Sequence, residues 1–362
     1  MKSEIEKLDG SDISDPLIFS ISKFLNFSHS PATMLSEKHI TSFLHQRGAT
    51  ALMMAVACFC CLFAWQRGAV APIVGNLGWG LPSANQWFGF GPVSAVMNLA
   101  VSLTVALLTV YINRRFNVLR SLTSLVATMF LAMQVALPSL LGQFYGGSML
   151  VLTVMLCVGT LFSVYSDNRG QRPVFLICCL LGAEALTQIA CLLYVPVFLL
   201  GCVQMRIFGL RTFLASLLGL ITPLWIVLGF GIVEPQTLLQ TPQTSFLTPA
   251  WSMFDSADMV QALVATGITI VLGIIFVVAN LLKILSYNSR VRAFNGFLTL
   301  LFCATAIFAL LNFNNFTFYI PFLNVLVAYQ IAHFFTYRRQ RRTYIPLLLI
   351  MAGYIALYVW GI

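Results

Sequence analysis

The sequence predicts an all-α fold, a polytopic transmembrane bundle of about eleven crossings that includes a short broken hairpin near residues 173–205. Three observations predict it. Of 362 residues, 59% are hydrophobic and only 9% charged, whereas a soluble domain carries about a quarter charged residues to cover its surface. Apolar runs of about 18 or more residues, each long enough to span a bilayer, recur along the chain. The alternating ten-residue segments of a transmembrane barrel are absent.

The elements follow in order. Residues 1–47 form a polar segment of mixed charge, unlike a secretory signal peptide. Within it, Asp15-Pro16 is a helix start, and Leu17, Ile18, Ile21, Phe24 and Leu25 recur at helical spacing. This fits an amphipathic helix lying on the membrane surface, or equally a polar tail without fixed structure. Residues 48–362 form the transmembrane domain. Its apolar spans are expected near 48–65, 93–112, 121–141, 149–166, 173–205, 212–232, 259–282, 296–312, 317–336 and 344–361.

The run 173–205 holds 33 residues between Arg172 and Arg206, too many for one crossing and too few for two full ones. Charge decides between them. With two crossings and a cytoplasmic N-terminus, 19 of the 20 Lys and Arg residues fall on the inner side, and only Arg67 falls outside. With one crossing, everything from Arg206 onward inverts and the split becomes ten against ten. Basic residues concentrate on the cytoplasmic side of membrane proteins, so the two-crossing reading is preferred. Its legs must be short, with a break around Gly182–Gln188. A broken helix at membrane depth needs protein or a water-filled cavity to shield its free backbone groups.

The net charge of +9 is therefore an orientation signal and does not point to nucleic acid. The run 338–342, "RRQRR", anchors topology and suits anionic lipid head groups. All nine cysteines lie in apolar runs, which implies no disulfide framework. Cys58 and Cys61 have CxxC spacing inside the first span and read as packing residues. The outer loop 66–92 is rich in Gly, Pro and aromatics, and Trp79, Trp87, Phe88 and Phe90 suit the membrane interface.

Glu184 is the one acidic residue inside a span, and an intramembrane carboxylate is a functional candidate. Thr187 and Gln188 lie one turn away, on the same face if the leg stays helical. Glu184, Thr187 and Gln188 are thus the candidate substrate-binding residues, lining a pocket open to the outside. The alternative is a neutral Glu184 bonded to backbone freed at the break. Asn312, Asn314 and Asn315 mark a short outer turn where amides satisfy backbone groups. The four histidines do not provide the three or four convergent ligands of a metal site, so neither metal nor cofactor is expected.

The stretch 180–225, "LLGAEALTQIACLLYVPVFLLGCVQMRIFGLRTFLASLLGLITPLW", resembles a pattern of type C membrane glycosyltransferases, with Gly182, Thr187, Gln188, Pro196, Arg206, Arg211 and Pro223 at matching places. Together with 39–59 and 319–359, it also resembles a family of polytopic inner-membrane proteins of Bacteroidota, over most of the chain after residue 39. That family brings no activity with it. The first resemblance implies an acidic catalytic residue in the first outer loop, yet loop 66–92 contains no Asp or Glu. The expectation is therefore a glycosyltransferase-C-like scaffold in the inner membrane that binds a lipid-linked saccharide or an envelope-assembly partner without catalysis. An active transferase using Glu184, Glu234, Asp255 or Asp258 is the second reading. A transporter is the third, and it lacks the paired intramembrane charges frequent in that class.

Overall fold

In the computed structural model the chain separates into two units, Met1–Ser42 and Phe43–Ile362. The structure describes residues 47–67, 78, 80–89, 91–119, 123–166, 170–236, 256–283, 287–337 and 344–361, all in the second unit. The expected amphipathic helix after Asp15, the anchor 338–342, and Trp79, Phe90 and Asp255 lie outside the described residues.

Among the described residues there is no strand. Twelve α-helices follow one another among the described residues: α1 Arg47–Arg67, α2 Pro92–Phe116, α3 Leu125–Val135, α4 Pro138–Leu141, α5 Gly146–Ser163, α6 Gln171–Thr187, α7 Tyr194–Gln204, α8 Leu210–Gly229, α9 Ala257–Leu281, α10 Ser289–Leu311, α11 Phe316–Tyr337 and α12 Tyr344–Trp360. Seven of them (α1, α2, α5, α8, α9, α10 and α11) are long and apolar enough to cross a membrane. Helices dominate because every backbone N–H and C=O in hydrocarbon must be satisfied within its own segment.

The core is α11, which packs against α3, α5, α9 and α10. Its apolar window is the least hydropathic of the seven and the most enclosed, with 94% of its residues buried against 28% for α8. Lipid is as apolar as leucine, so burying polar side chains inside the bundle replaces the hydrophobic drive available in water. Those side chains join the helices. Asn324 donates to Gln134 of α3 at 3.1 Å. Gln330 accepts from Asn280 of α9 at 2.8 Å and donates to Asn295 and Thr299 of α10 at 3.4 and 3.3 Å. The Tyr329 hydroxyl reaches the Thr109 carbonyl of α2 at 3.2 Å.

The contacts between helix ends sort into two sets. At one end, Asn113 donates to the Thr123 carbonyl and accepts from Leu119 N–H, which closes the α2–α3 turn. The Ser166 N–H bonds the Met205 carbonyl, and Gly170 sits against Ile207. Arg114, Arg115, Arg172, Arg206, Arg211, Lys283, Arg290 and Arg292 all occupy this end. At the other end, Asn85 receives Gly146 N–H at 2.8 Å. Gln261 donates to the Ala136 and Leu357 carbonyls at 3.2 and 2.8 Å, and Glu234 and Asp258 lie here. The first set is hereafter the basic end and the second the acidic end.

One span differs from the continuous helix expected. The run 121–141 is broken: α3 has 11 residues and α4 only four. Pro138 disfavours helical backbone at the residue before it, and Leu137 takes φ −119°, ψ 79°. The run 173–205 reverses direction. α6 leaves the basic end beside Gly170, and α7 returns to it at Met205–Ile207. α8 then runs alongside α6 in a close interface made of small residues. A Cβ on Gly182 would stand 3.0 Å from the Leu220 carbonyl oxygen, and one on Gly219 would collide with the Phe175 carbonyl oxygen.

Candidate functional site

The site is the tip of the α6–α7 hairpin, at the acidic end. α6 stops at Thr187, and Gln188 leaves helical backbone with φ −153°, ψ 100°. A 3-10 turn over Ile189–Leu193 then leads into α7. The Glu184 carbonyl receives both Gln188 N–H at 2.9 Å and the Thr187 hydroxyl at 2.8 Å. This caps the broken end, where the last helical carbonyls lose their partners. Thr187, expected as a ligand contact, therefore uses its hydroxyl on the backbone. Gln188 does not share a helical face with Glu184, because the helix has already ended.

The Glu184 side chain is buried, 6% exposed. Its Oε2 accepts from the Thr153 hydroxyl of α5 at 3.0 Å. Its Oε1 has no hydrogen-bond partner among the described residues. The Cys157 and Cys191 thiols lie within electrostatic reach of this carboxyl. Glu184 is thus bonded to a neighbouring helix and not to the backbone at the break, as the alternative reading had it.

Gln188 is also buried and its Oε1 lacks a partner among the described residues, as does the Tyr145 hydroxyl. Both side chains abut the pair Gly146–Gly147 at the start of α5. A Cβ on Gly146 would stand 3.5 Å from Gln188 Oε1 and 3.2 Å from the Phe318 ring. One on Gly147 would stand 2.7 Å from the Phe318 carbonyl oxygen and strike the Tyr145 ring. The two glycines let α5, α11 and the hairpin tip approach at one point.

Leu81, Trp87 and Phe88, which precede α2, pack against this point. Leu81 N–H bonds the Leu186 carbonyl at 3.2 Å. Ser94 accepts from Phe144 N–H at 2.7 Å. Trp87 and Phe88 pack on Phe144 with ring centroids 6.3 and 5.2 Å away, and the Trp87 indole donates to the Pro82 carbonyl at 3.0 Å. Behind Phe144–Gly147 stands Asn98 of α2, which donates to the Leu140 and Leu141 carbonyls at 2.9 and 2.8 Å and accepts from Ser148 at 2.6 Å. Buried unpaired polar atoms are costly at membrane depth. Gln188 Oε1 and the Tyr145 hydroxyl, on side chains against Gly146–Gly147, and Glu184 Oε1, one turn before Gln188, are such atoms among the described residues, which makes the tip a candidate site.

In the α10–α11 turn Asn315 donates to the Asn312 side chain at 3.2 Å, and Asn312 to the Tyr319 hydroxyl at 3.5 Å. Among the described residues no three His, Cys, Asp or Glu side chains stand close enough to hold a metal ion. Sequence reasoning missed Thr153, Tyr145 and Asn98. The signal for Tyr145 was legible in "FYGGS" (144–148), an aromatic pair before two glycines at the mouth of a span. Thr153 and Asn98 are single polar residues in apolar runs, with no local pattern to mark them. No family model, curated protein or solved structure matches the chain.

Proposed function

We propose that this protein is an inner-membrane protein of eleven crossings, with its N-terminus cytoplasmic, that binds the head group of a lipid-linked saccharide at the hairpin tip without catalysing its transfer. The observation that carries the reading is that Glu184 Oε1, Gln188 Oε1 and the Tyr145 hydroxyl, on the break and on the start of α5 that meets it, are buried without hydrogen-bond partners among the described residues. Two side-chain acceptors and one hydroxyl complement a ligand rich in hydroxyl donors. The placement of every described Lys and Arg except Arg67 at the opposite end supports the orientation. The return of α7 to the basic end supports counting the hairpin as two crossings. The resemblance to the glycosyltransferase-C scaffold belongs to the same reading.

The test is mass spectrometry of the organic extract of the purified protein. Wild type is expected to retain a saccharide-bearing lipid, and Glu184→Gln to lose it while folding normally, because the isostere keeps its shape but exchanges an acceptor for a donor. Glu184→Leu should also lower the folding yield, since the Thr153 hydroxyl loses its partner at a cost of about 1–3 kcal/mol. Retention by Glu184→Gln equal to wild type would remove Glu184 from the site. A wild-type extract free of saccharide lipid would overturn the function. An active transferase is the second reading, favoured by Val233, which packs on Leu186 and so brings exposed Glu234 to the rim of the tip. Sugar transfer by the purified protein, lost in Glu234→Gln, would establish that reading instead.

A further inference from the structure

A groove of about 280 Å³ runs between α9 and α12, lined by Ile268 and Leu272 on one side and Leu349, Gly353, Tyr354 and Leu357 on the other. No residue of it belongs to the hairpin, and its origin is local. A Cβ on Gly353 would meet nothing within 4 Å, so the missing side chain opens the floor. The one polar group in the lining, the Tyr354 hydroxyl, is already engaged by Thr269 at 2.8 Å.

We infer that the groove seats a single acyl chain of a bilayer phospholipid. Water is a poor occupant, because an ordered water needs two to four polar partners and the groove leaves it none. A second copy of this chain is also a poor occupant. A stable protein interface takes about 20–30 residues from each partner, and this lining is seven residues on two helices. Its length fits a chain. Leu349 to Leu357 is eight rises of about 1.5 Å, roughly 12 Å, against roughly 15 Å for half of a 30 Å hydrocarbon core. The leaflet follows from Gln261, whose bonds to the Ala136 and Leu357 carbonyls fix the Leu357 end of the groove at the acidic end. The occupant therefore enters from the leaflet on that side. A hydrocarbon chain fills space that would otherwise leave lining atoms without contacts.

The experiment uses the full chain in bilayer nanodiscs doped with a phosphatidylethanolamine bearing a photoactivatable diazirine within its acyl chain. Adducts are mapped by peptide mass spectrometry after illumination. Adducts per residue are expected to concentrate on the groove relative to Leu218 and Ile221, exposed residues of α8. Gly353→Phe should lower groove adducts about tenfold and leave those on α8 unchanged, which also reports that the fold is intact. If Gly353→Phe fails to fold, Gly353→Val provides the same comparison. Groove labelling no denser than on α8, or unaffected by filling Gly353, would overturn the inference. So would efficient crosslinking of Gly353→Cys into dimers by a short bismaleimide, since a second copy would then occupy the groove.

Discussion

Replacing Asn98 with leucine should destabilise the protein by about 2 to 5 kcal/mol. Asn98 is fully buried and makes three short hydrogen bonds: two to the carbonyls that end α4, at 2.9 and 2.8 Å, and one from Ser148 at 2.6 Å. Side-chain hydrogen bonds inside membrane proteins are worth about 0.6 kcal/mol on average and about 1.7 at most. Three of them give about 2 to 5 kcal/mol, at the upper end here because α4 is too short to satisfy its own last carbonyls. Ser148→Ala removes one bond and should cost about 0.6–1.7 kcal/mol. The double mutant should cost less than the sum of the two, by the value of the shared bond. Reversible unfolding in mixed micelles, titrated with denaturing detergent, measures all three. Because Asn98 holds the segment that presents Tyr145 and Gly146–Gly147, Asn98→Leu should also lose whatever ligand the hairpin tip retains, even where enough folded protein is recovered. An Asn98→Leu cost no larger than that of Ser148→Ala would refute this account of how the broken span is held.

Two further tests address the hairpin. Gly219→Ala should destabilise, because its Cβ runs into the Phe175 backbone carbonyl, which cannot rotate away. Gly229→Ala, in the same helix with nothing within 4 Å, should be neutral or stabilise by up to about 1 kcal/mol through helix propensity. Equal signs in thermal unfolding would show that α6 and α8 are not in close contact. For orientation, Glu234→Cys should react with a membrane-impermeant maleimide in intact cells and Gly209→Cys only after permeabilisation. The opposite pattern would invert the hairpin and every crossing after it.

The positions of the long helices and the charge difference between the two ends were legible in the sequence. Both are written into composition: bilayer thickness sets the length of an apolar run, and the basic residues mark a side. The break at the hairpin was legible as well, since 33 residues cannot make two full crossings. Other features were settled only by the tertiary structure. Pro138 signals a break near 121–141, yet such a break is tolerable only because Asn98 and Gln261 supply donors for the Leu140, Leu141 and Ala136 carbonyls from 42, 43 and 125 residues away. Glu184 stood out as the lone intramembrane acid, but its bond to Thr153 and the nearness of Tyr145 to Gln188 depend on α5 lying beside the tip. The central place of α11 is of the same kind. Its asparagine, glutamine and tyrosines mark a helix that avoids lipid, but no local pattern says which helices surround it. Hydropathy is a property of one segment against its solvent, whereas pairing buried polar groups is a property of several segments together, and only the folded chain brings those together.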